Sequence, residues 1–166
     1  MRIGVISDTH GCFDDKLKTF LDNVDEIWHA GDIGPIADLI TSFKPVRAVY
    51  GNIDDNQTRM TYPEALNFVC EEKSVYISHI VGYPGKYARK TRIEIDKTHP
   101  DIVVGGHSHI LKIIRDKKNN LLFINPGAAG IFGFHEFRTA VRFRIVEGEI
   151  FDMEIREWDK NFFKRV

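Results

Sequence analysis

Short apolar runs alternate with amphipathic stretches through the first fifty residues. Arg2–Ile6, Glu26–Ala30 and Val46–Tyr50 have strand length and apolar character. Between them lie Asp14–Asn23, with Leu17, Phe20 and Leu21 on one helical face, and Pro35–Phe43, whose proline suits a first helical turn that needs no N–H. The order βαβαβ predicts a mostly parallel sheet with right-handed crossovers. Beyond residue 62 the pattern changes. Leu66–Cys70 and Val75–His79 flank Glu71–Ser74 as an antiparallel hairpin, and Lys86–Thr98 carries Ala88, Ile93 and Ile95 in a weakly amphipathic, basic helix. Ile102–Gly105 is a further strand. Leu111–Arg115 and Leu121–Ile124 bracket a turn at Asp116–Asn120, and Ala140–Val146 and Glu149–Ile155 bracket Glu147 and Gly148. Asp54–Tyr62 and Gly82–Gly85 read as surface loops. This element order predicts an α/β fold of two packed mixed β-sheets flanked by helices, with strand order left open.

At 166 residues, 43% of them hydrophobic, the chain suits one domain over 1–166. Lys and Arg number 23 against 24 Asp and Glu, and the formal charge of −1 gives no reason to expect a membrane or nucleic-acid surface as the main partner. Any anionic ligand must be held locally. Cys12 and Cys70 form no CxxC pair, and no secretory pattern opens the chain, so a reducing, cytoplasmic location is expected. No apolar run approaches the roughly 20 residues that span a bilayer.

The candidate chemistry lies at the ends of the strands. Asp8 and His10 follow the first run, Asp32 follows the second after Gly31, Asn52 follows the third after Gly51, His79 ends the first hairpin, and His107 and His109 follow Ile102–Gly105. Open α/β sheets gather ligands at the carboxyl ends of their strands, so residues distant in sequence can converge there. Taken singly, each has a plainer explanation as a turn residue or a satisfied core histidine. Five strand ends in succession favour a site. His29, inside its strand, and His99, beside Pro100, read as structural, and His135 as a surface-loop residue, with a place bordering the substrate as the alternative. Lys86, Arg89, Lys90 and Arg92 read as a solvated helix face, with phosphate contacts as the alternative.

Asp8-x-His10, Gly31-Asp32, Gly51-Asn52-x-Asp54, His79 and Gly106-His107-Ser-His109 stand in the order and approximate spacing of the calcineurin-like metallophosphoesterases, which the chain resembles from residue 3 to 109. Asn125-Pro-Gly127 and the small size resemble the compact bacterial and archaeal phosphodiesterase branch. The resemblance implies a four-layer α-β-β-α sandwich. It further implies two divalent ions, Mn favoured and Ni, Co, Fe or Zn suited by the same thiolate-free donors. Asp8, His10, Asp32 and His109 would hold one, and Asp32, Asn52, His79 and His107 the other, with Asp32 bridging. Two dications, two carboxylates and a bridging hydroxide leave about +1 at the site, which a phosphodiester monoanion neutralises. All seven residues are thereby catalytic candidates, and the expected partner is a small phosphodiester.

Two positions depart from the family pattern. Ile53 stands where monoesterase members carry a histidine that protonates the leaving group, which favours diesters with good leaving groups. Ile80 and Val81 replace residues that often shape the second metal site. The competing readings are a non-catalytic metal-binding scaffold, like the retromer subunit of this fold, and a phosphomonoesterase or nucleotide pyrophosphatase. Asn161–Lys164 is a candidate contact for a homo-oligomer.

Overall fold

The computed structural model describes residues 1–160; the expected contact at Asn161–Lys164 lies outside them. Its elements run β1 (Arg2–Ile6), α1 (Asp15–Leu21), β2 (Glu26–His29), α2 (Ala37–Phe43), β3 (Val46–Ala48), α3 (Asn56–Thr61), β4 (Ala65–Cys70), β5 (Lys73–Ser78), β6 (Gly82–Tyr83), β7 (Lys86–Tyr87), α4 (Arg89–Thr98), β8 (Ile102–Val104), β9 (Leu111–Asp116), β10 (Leu121–Pro126), β11 (Phe137–Val146) and β12 (Glu149–Asp159). One five-stranded sheet has the order β12-β11-β1-β2-β3, the other β4-β5-β8-β10-β9. β1, β2 and β3 are parallel, as the alternating pattern predicts, and antiparallel β11 closes their sheet.

The sheets pack face to face. Ile3, Val5, Trp28, Val141 and Phe143 of the first meet Val75, Ile77, Ile102, Val104 and Ile124 of the second in one buried cluster. A second cluster seats Leu17, Phe20 and Leu21 of α1 and Ile40 of α2 on the outer face of the first sheet, and a third seats Ile95 of α4 on the second. The four-layer α-β-β-α sandwich follows from these three clusters. Both β1 and β8 are buried on both faces, which explains their unbroken apolar runs.

Some boundaries differ from the sequence reading. Residues 54–62 contain a helical turn and a half, α3, which has no apolar stripe but is started by Asp55, whose side chain accepts from the Thr58 N–H. Residues 82–87 form a two-stranded ribbon, β6-β7, and the helix that follows begins at Arg89 rather than Lys86. β11 and β12 extend beyond the predicted spans because their pairing continues from Phe137 to Asp159. The β4-β5 and β11-β12 hairpins turn through Glu71-Glu72 and Glu147-Gly148, both residues of each pair at positive φ, the geometry whose twist matches right-handed strands.

Candidate metal centre

Side chains from both sheets converge where β1, β2, β3, β5 and β8 end. The loop after β1 is laced to the loop after β2: Asp8 N–H donates to Gly31 O at 2.9 Å, His10 N–H to Asp32 O at 3.0 Å and Gly11 N–H to Ile33 O at 3.0 Å. This lacing forces unusual backbone. Asp8, His10, Asp32, His107 and His109 all have φ between 46° and 65°, a region that non-glycine residues rarely occupy and that costs on the order of 1 kcal/mol or more each. Two glycines allow the close approach. A Cβ on Gly51 would overlap Asp32 Oδ1, and one on Gly106 would overlap Ser7 Oγ and lie 2.8 Å from Asp8 Oδ2.

Each carboxylate has one oxygen committed to the backbone. His107 N–H donates to Asp8 Oδ2 at 3.0 Å, and Ile53 N–H donates to Asp32 Oδ1 at 3.0 Å. The other oxygens face imidazoles. Asp8 Oδ1, buried and without an aligned hydrogen-bond donor, lies 3.1 Å from His109 Nε2, 3.9 Å from His10 Nε2 and 4.0 Å from His79 Nε2. Asp32 Oδ2 is 3.2 Å from His79 Nε2, which is also 3.0 Å from Asn52 Oδ1. His79 Nδ1–H donates to Ala30 O at 2.7 Å, leaving Nε2 as the donor atom toward the cluster. His10 and His109 bring their Nε2 atoms within 3.3 Å of one another.

The structure therefore forms two overlapping groups with metal-ligand spacing, Asp8-His10-His109 and Asp8-Asp32-His79. Asp8 belongs to both; Asp32, the expected bridge, belongs to one. Asn52 joins through His79. His107 stands at the edge, its ring 5.3 Å from that of His79 and its residue exposed. The Nε2 atoms of His10 and His109 face one another and the orphan oxygen of Asp8, and a cation lying among the three would satisfy them together. Nitrogen and oxygen donors without thiolate fit a divalent ion of borderline hardness.

Electrostatics agree with that fit. Burial would raise the Asp8 carboxyl, but the His109 imidazole and the charge of His79 outweigh it and hold it below the ordinary range. Asp32 is likewise lowered, against its burial, by His79. Burial pulls His79 down, yet the bond to Asp32 and the charge of Asp8 raise it overall, while for His10 burial prevails and lowers it. Two ionised carboxylates thus share a pocket in which protons and any metal ion compete for the imidazole nitrogens.

The surrounding residues brace the loops. His29, fully buried, holds Thr9 Oγ1 at 2.9 Å through Nε2 and accepts the Gly31 N–H at 3.2 Å on Nδ1, so it is structural, as read. Asp54, buried, accepts from Gly34 N–H at 2.9 Å and Gly51 N–H at 2.8 Å, tying the β2 and β3 loops together. Asn125 donates to Gly106 O at 2.8 Å and Ser108 Oγ at 3.0 Å, which places the Asn125-Pro-Gly127 turn directly behind His107 and His109. His99 caps α4 at φ 47°. His135 departs from the sequence reading. It is half-buried against His109, with its Nδ1 3.2 Å from His109 Nδ1, because the 130–135 loop folds back over the site. No spacing rule pointed to the contact with His109; the signal in the sequence was a histidine two residues after Gly133 in an apolar loop.

Two clefts open from Asn52. The wider, about 640 Å³, is lined by His10, Asp32, His109, Pro35, Ile53 and Phe132. The other, about 420 Å³, is lined by Asn52, His79, Tyr50, Arg59, Arg89 and Lys90 among others. Of the basic run, Lys90 pairs with Glu64 at 2.5 Å and Arg92 with Asp96 at 3.2 Å, so part of it does face solvent while Arg89 and Lys90 border the cleft. Ile80 is exposed and Val81 buried, its side chain filling the space a Cβ on Gly105 would need. No helix among the described residues is long and apolar enough to cross a membrane.

The model of the calcineurin-like phosphoesterase superfamily domain matches residues 1–148. No curated protein matches the chain. Among solved structures, wild-type Vps29 from Entamoeba histolytica complexed with zinc is 18% identical with a TM-score of 0.73, the likeness covering 97% of this chain and 100% of that one. A predicted phosphoesterase from Streptococcus pneumoniae is 23% identical, TM-score 0.67, covering 96% of this chain and 90% of its own. A novel archaeal phosphodiesterase is 21% identical, TM-score 0.67, covering 96% of this chain and 99% of its own. At these identities the likeness concerns the fold.

Proposed function

The chain belongs to the calcineurin-like phosphoesterase superfamily, and on that premise we propose that it is a phosphodiesterase using two divalent metal ions, manganese favoured, to hydrolyse small diesters with good leaving groups. The observation that carries this is Asp8 Oδ1, an orphan carboxylate oxygen common to two overlapping donor groups. Asp8, His10 and His109 would hold one ion, and Asp32, His79 and Asn52 with Asp8 the other, with His107 at its edge. When bound, such ions supply Lewis acidity toward a phosphoryl oxygen and bring the pKa of water close to neutrality.

The chain's own groups have separate tasks. The buried carboxylates set the charge of the site, and the backbone N–H groups of Ile53 and His107 keep each in one orientation. Arg59, whose guanidinium donates to Asn52 O at 2.7 Å and Asp54 O at 2.8 Å, steadies Asn52 while lending its charge to the narrower cleft. There Arg59, Arg89 and Lys90 outnumber Glu64, a local cation excess that suits an anionic ester. Ile53, 63% exposed and lining the wider cleft, offers a departing oxygen no proton. That favours aryl over alkyl leaving groups, since a positioned acid is worth about 10²–10⁴-fold.

The competing reading, a scaffold without catalysis, draws on the likeness to Vps29. The paired donor groups, open to two clefts, favour turnover. A matrix of Mn, Ni, Co, Zn and Mg against aryl diesters and alkyl monoesters tests the proposal. Metal-dependent cleavage should be fastest on aryl diesters. Equal rates on alkyl monoesters would remove the diester assignment, and tight metal binding without turnover of any ester would favour the scaffold.

A further inference from the structure

His135 plays no part in the donor groups, yet its ring is built into the site. Its Nε2 lies 3.0 Å from the carbonyl of Gly130, an atom that only accepts, so Nε2 carries the proton and Nδ1 is left as an acceptor. That Nδ1 is 3.2 Å from His109 Nδ1. Two nitrogens at this separation need one proton between them, and it must come from His109. With Nδ1–H of His109 committed to His135, the free lone pair of His109 sits on Nε2, the atom that faces Asp8 Oδ1 and His10 Nε2. The rings meet nearly edge to face, centroids 5.1 Å apart at 78°.

The loop is shaped for this contact. A Cβ on Gly133 would strike the His109 ring and come within 3.1 Å of His135 Nδ1, and Lys160 Nζ donates to the Gly133 carbonyl. The same loop sets Phe132 edge-on to His10, centroids 6.5 Å apart at 88°. Residues 130–135 are thus a wall behind both histidines of one donor group, fastened at Gly130 by its N–H to Asp8 O at 3.0 Å.

We propose that His135 is a positioning residue that fixes the tautomer and ring angle of His109, and with them the affinity of the Asp8-His10-His109 group for a divalent ion. The proposal rests on the metal-binding reading above. Outer partners of this kind typically change metal affinity by about 10–100-fold.

The test compares His135→Phe, which keeps a ring and loses both polar atoms, with His135→Asn, whose Oδ1 stands close to the place of Nδ1. Metal-free protein is titrated with Mn²⁺ by calorimetry, and histidine tautomers are read by ¹⁵N NMR at a pH well above the ordinary imidazole value. His135→Phe should weaken the Asp8-His10-His109 group by about 10–100-fold, and His135→Asn should recover most of that. In metal-free wild type, His109 should be protonated at Nδ1, and this preference should vanish in His135→Phe. Unchanged Mn²⁺ affinity in a folded His135→Phe protein overturns the proposal, as does a wild-type His109 protonated at Nε2. If His135→Phe does not fold, the wild-type tautomer and His135→Asn still decide. Wild type that takes up no ion overturns the metal reading, and the tautomer result then judges His135 alone.

Discussion

Acidifying the protein through the titration of His29 gives a sharp measure of how the site is braced. His29 is fully buried, and burial pushes its imidazole from the ordinary 6.5 down to about 4, even though Asp54, Asp8 and Asp32 pull the other way. Between those values the unfolded chain binds a proton that the native state does not, so stability falls as pH drops from 6.5 toward 4 and is complete above 6.5. The 2.5-unit gap corresponds to roughly 3 kcal/mol in full, of which roughly 2 kcal/mol is lost by pH 5. His79 acts oppositely: its folded value is raised, so its contribution is present at low pH and is lost as pH rises through that value. Asp8 and Asp32, lowered, matter only below their ordinary 3.8. Comparison with His29→Gln removes these shared terms, because glutamine offers a donor and an acceptor to Thr9 and Gly31 without titrating. Urea unfolding in the presence of EDTA, at pH 7.5 and pH 5, should show wild type losing roughly 2 kcal/mol more than the variant on acidification. Parallel losses in the two proteins would refute the assignment of a buried neutral His29.

Three further outcomes follow from the same geometry. Gly106→Ala places a methyl against Ser7 and Asp8 Oδ2, so it should abolish Mn²⁺ uptake by the Asp8 groups while the β-sheet circular dichroism is kept; near-normal binding would show that the strand end yields easily. Because the paired carboxylates raise His79, metal must displace its proton: affinity should rise with pH, and calorimetry in buffers of different ionisation heat should detect proton release that fades as pH exceeds the His79 value. Arg138 is fully buried and holds Asp14 through two bonds of 2.8 and 3.1 Å while donating to Ala129 O at 2.7 Å. Arg138→Met should therefore cost about 3 kcal/mol in urea unfolding, and a loss under about 1 kcal/mol would mean that water replaces the guanidinium.

What could be read from the sequence was what depends on position along a strand. Asp8, Asp32, Asn52, His79, His107 and His109 each follow an apolar run closely, so the period of the strands announces them, and the sheets place them at one edge. Asp54 stood within a recognised motif, but its two bonds to Gly34 and Gly51 depend on loops that meet only in the folded chain. α3 was hidden because Asn56–Thr61 has no apolar stripe; a cap and the burial of Thr58 hold it. Its yield to the site is Arg59, which no charge pattern singled out. The contact of His135 with His109 was hidden for a different reason: the two are 26 residues apart and meet through a loop, with neither strand nor helix to give a period.

The energetics of the strand ends bear on the choice between catalysis and a passive scaffold. Five candidate ligands sit in left-handed backbone, two carboxylates are buried within reach of the same imidazole, and Asp8 Oδ1 has no aligned donor. Each feature opposes folding, and together they cost several kcal/mol on ordinary scales. The chain offsets that cost locally, through the lacing of the β1 and β2 loops, the neutral His29 beneath them, Asp54 across Gly34 and Gly51, and Asn125 behind His107. Strain concentrated on metal-ligand side chains and braced from several directions is what a pre-organised cation site requires. Two clefts meet at Asn52 and open the site from two sides, one apolar at Ile53 and Phe132 and one cationic at Arg59 and Arg89. On the proposed reading, an ester with one apolar arm and an anionic phosphoryl group would match both walls at once.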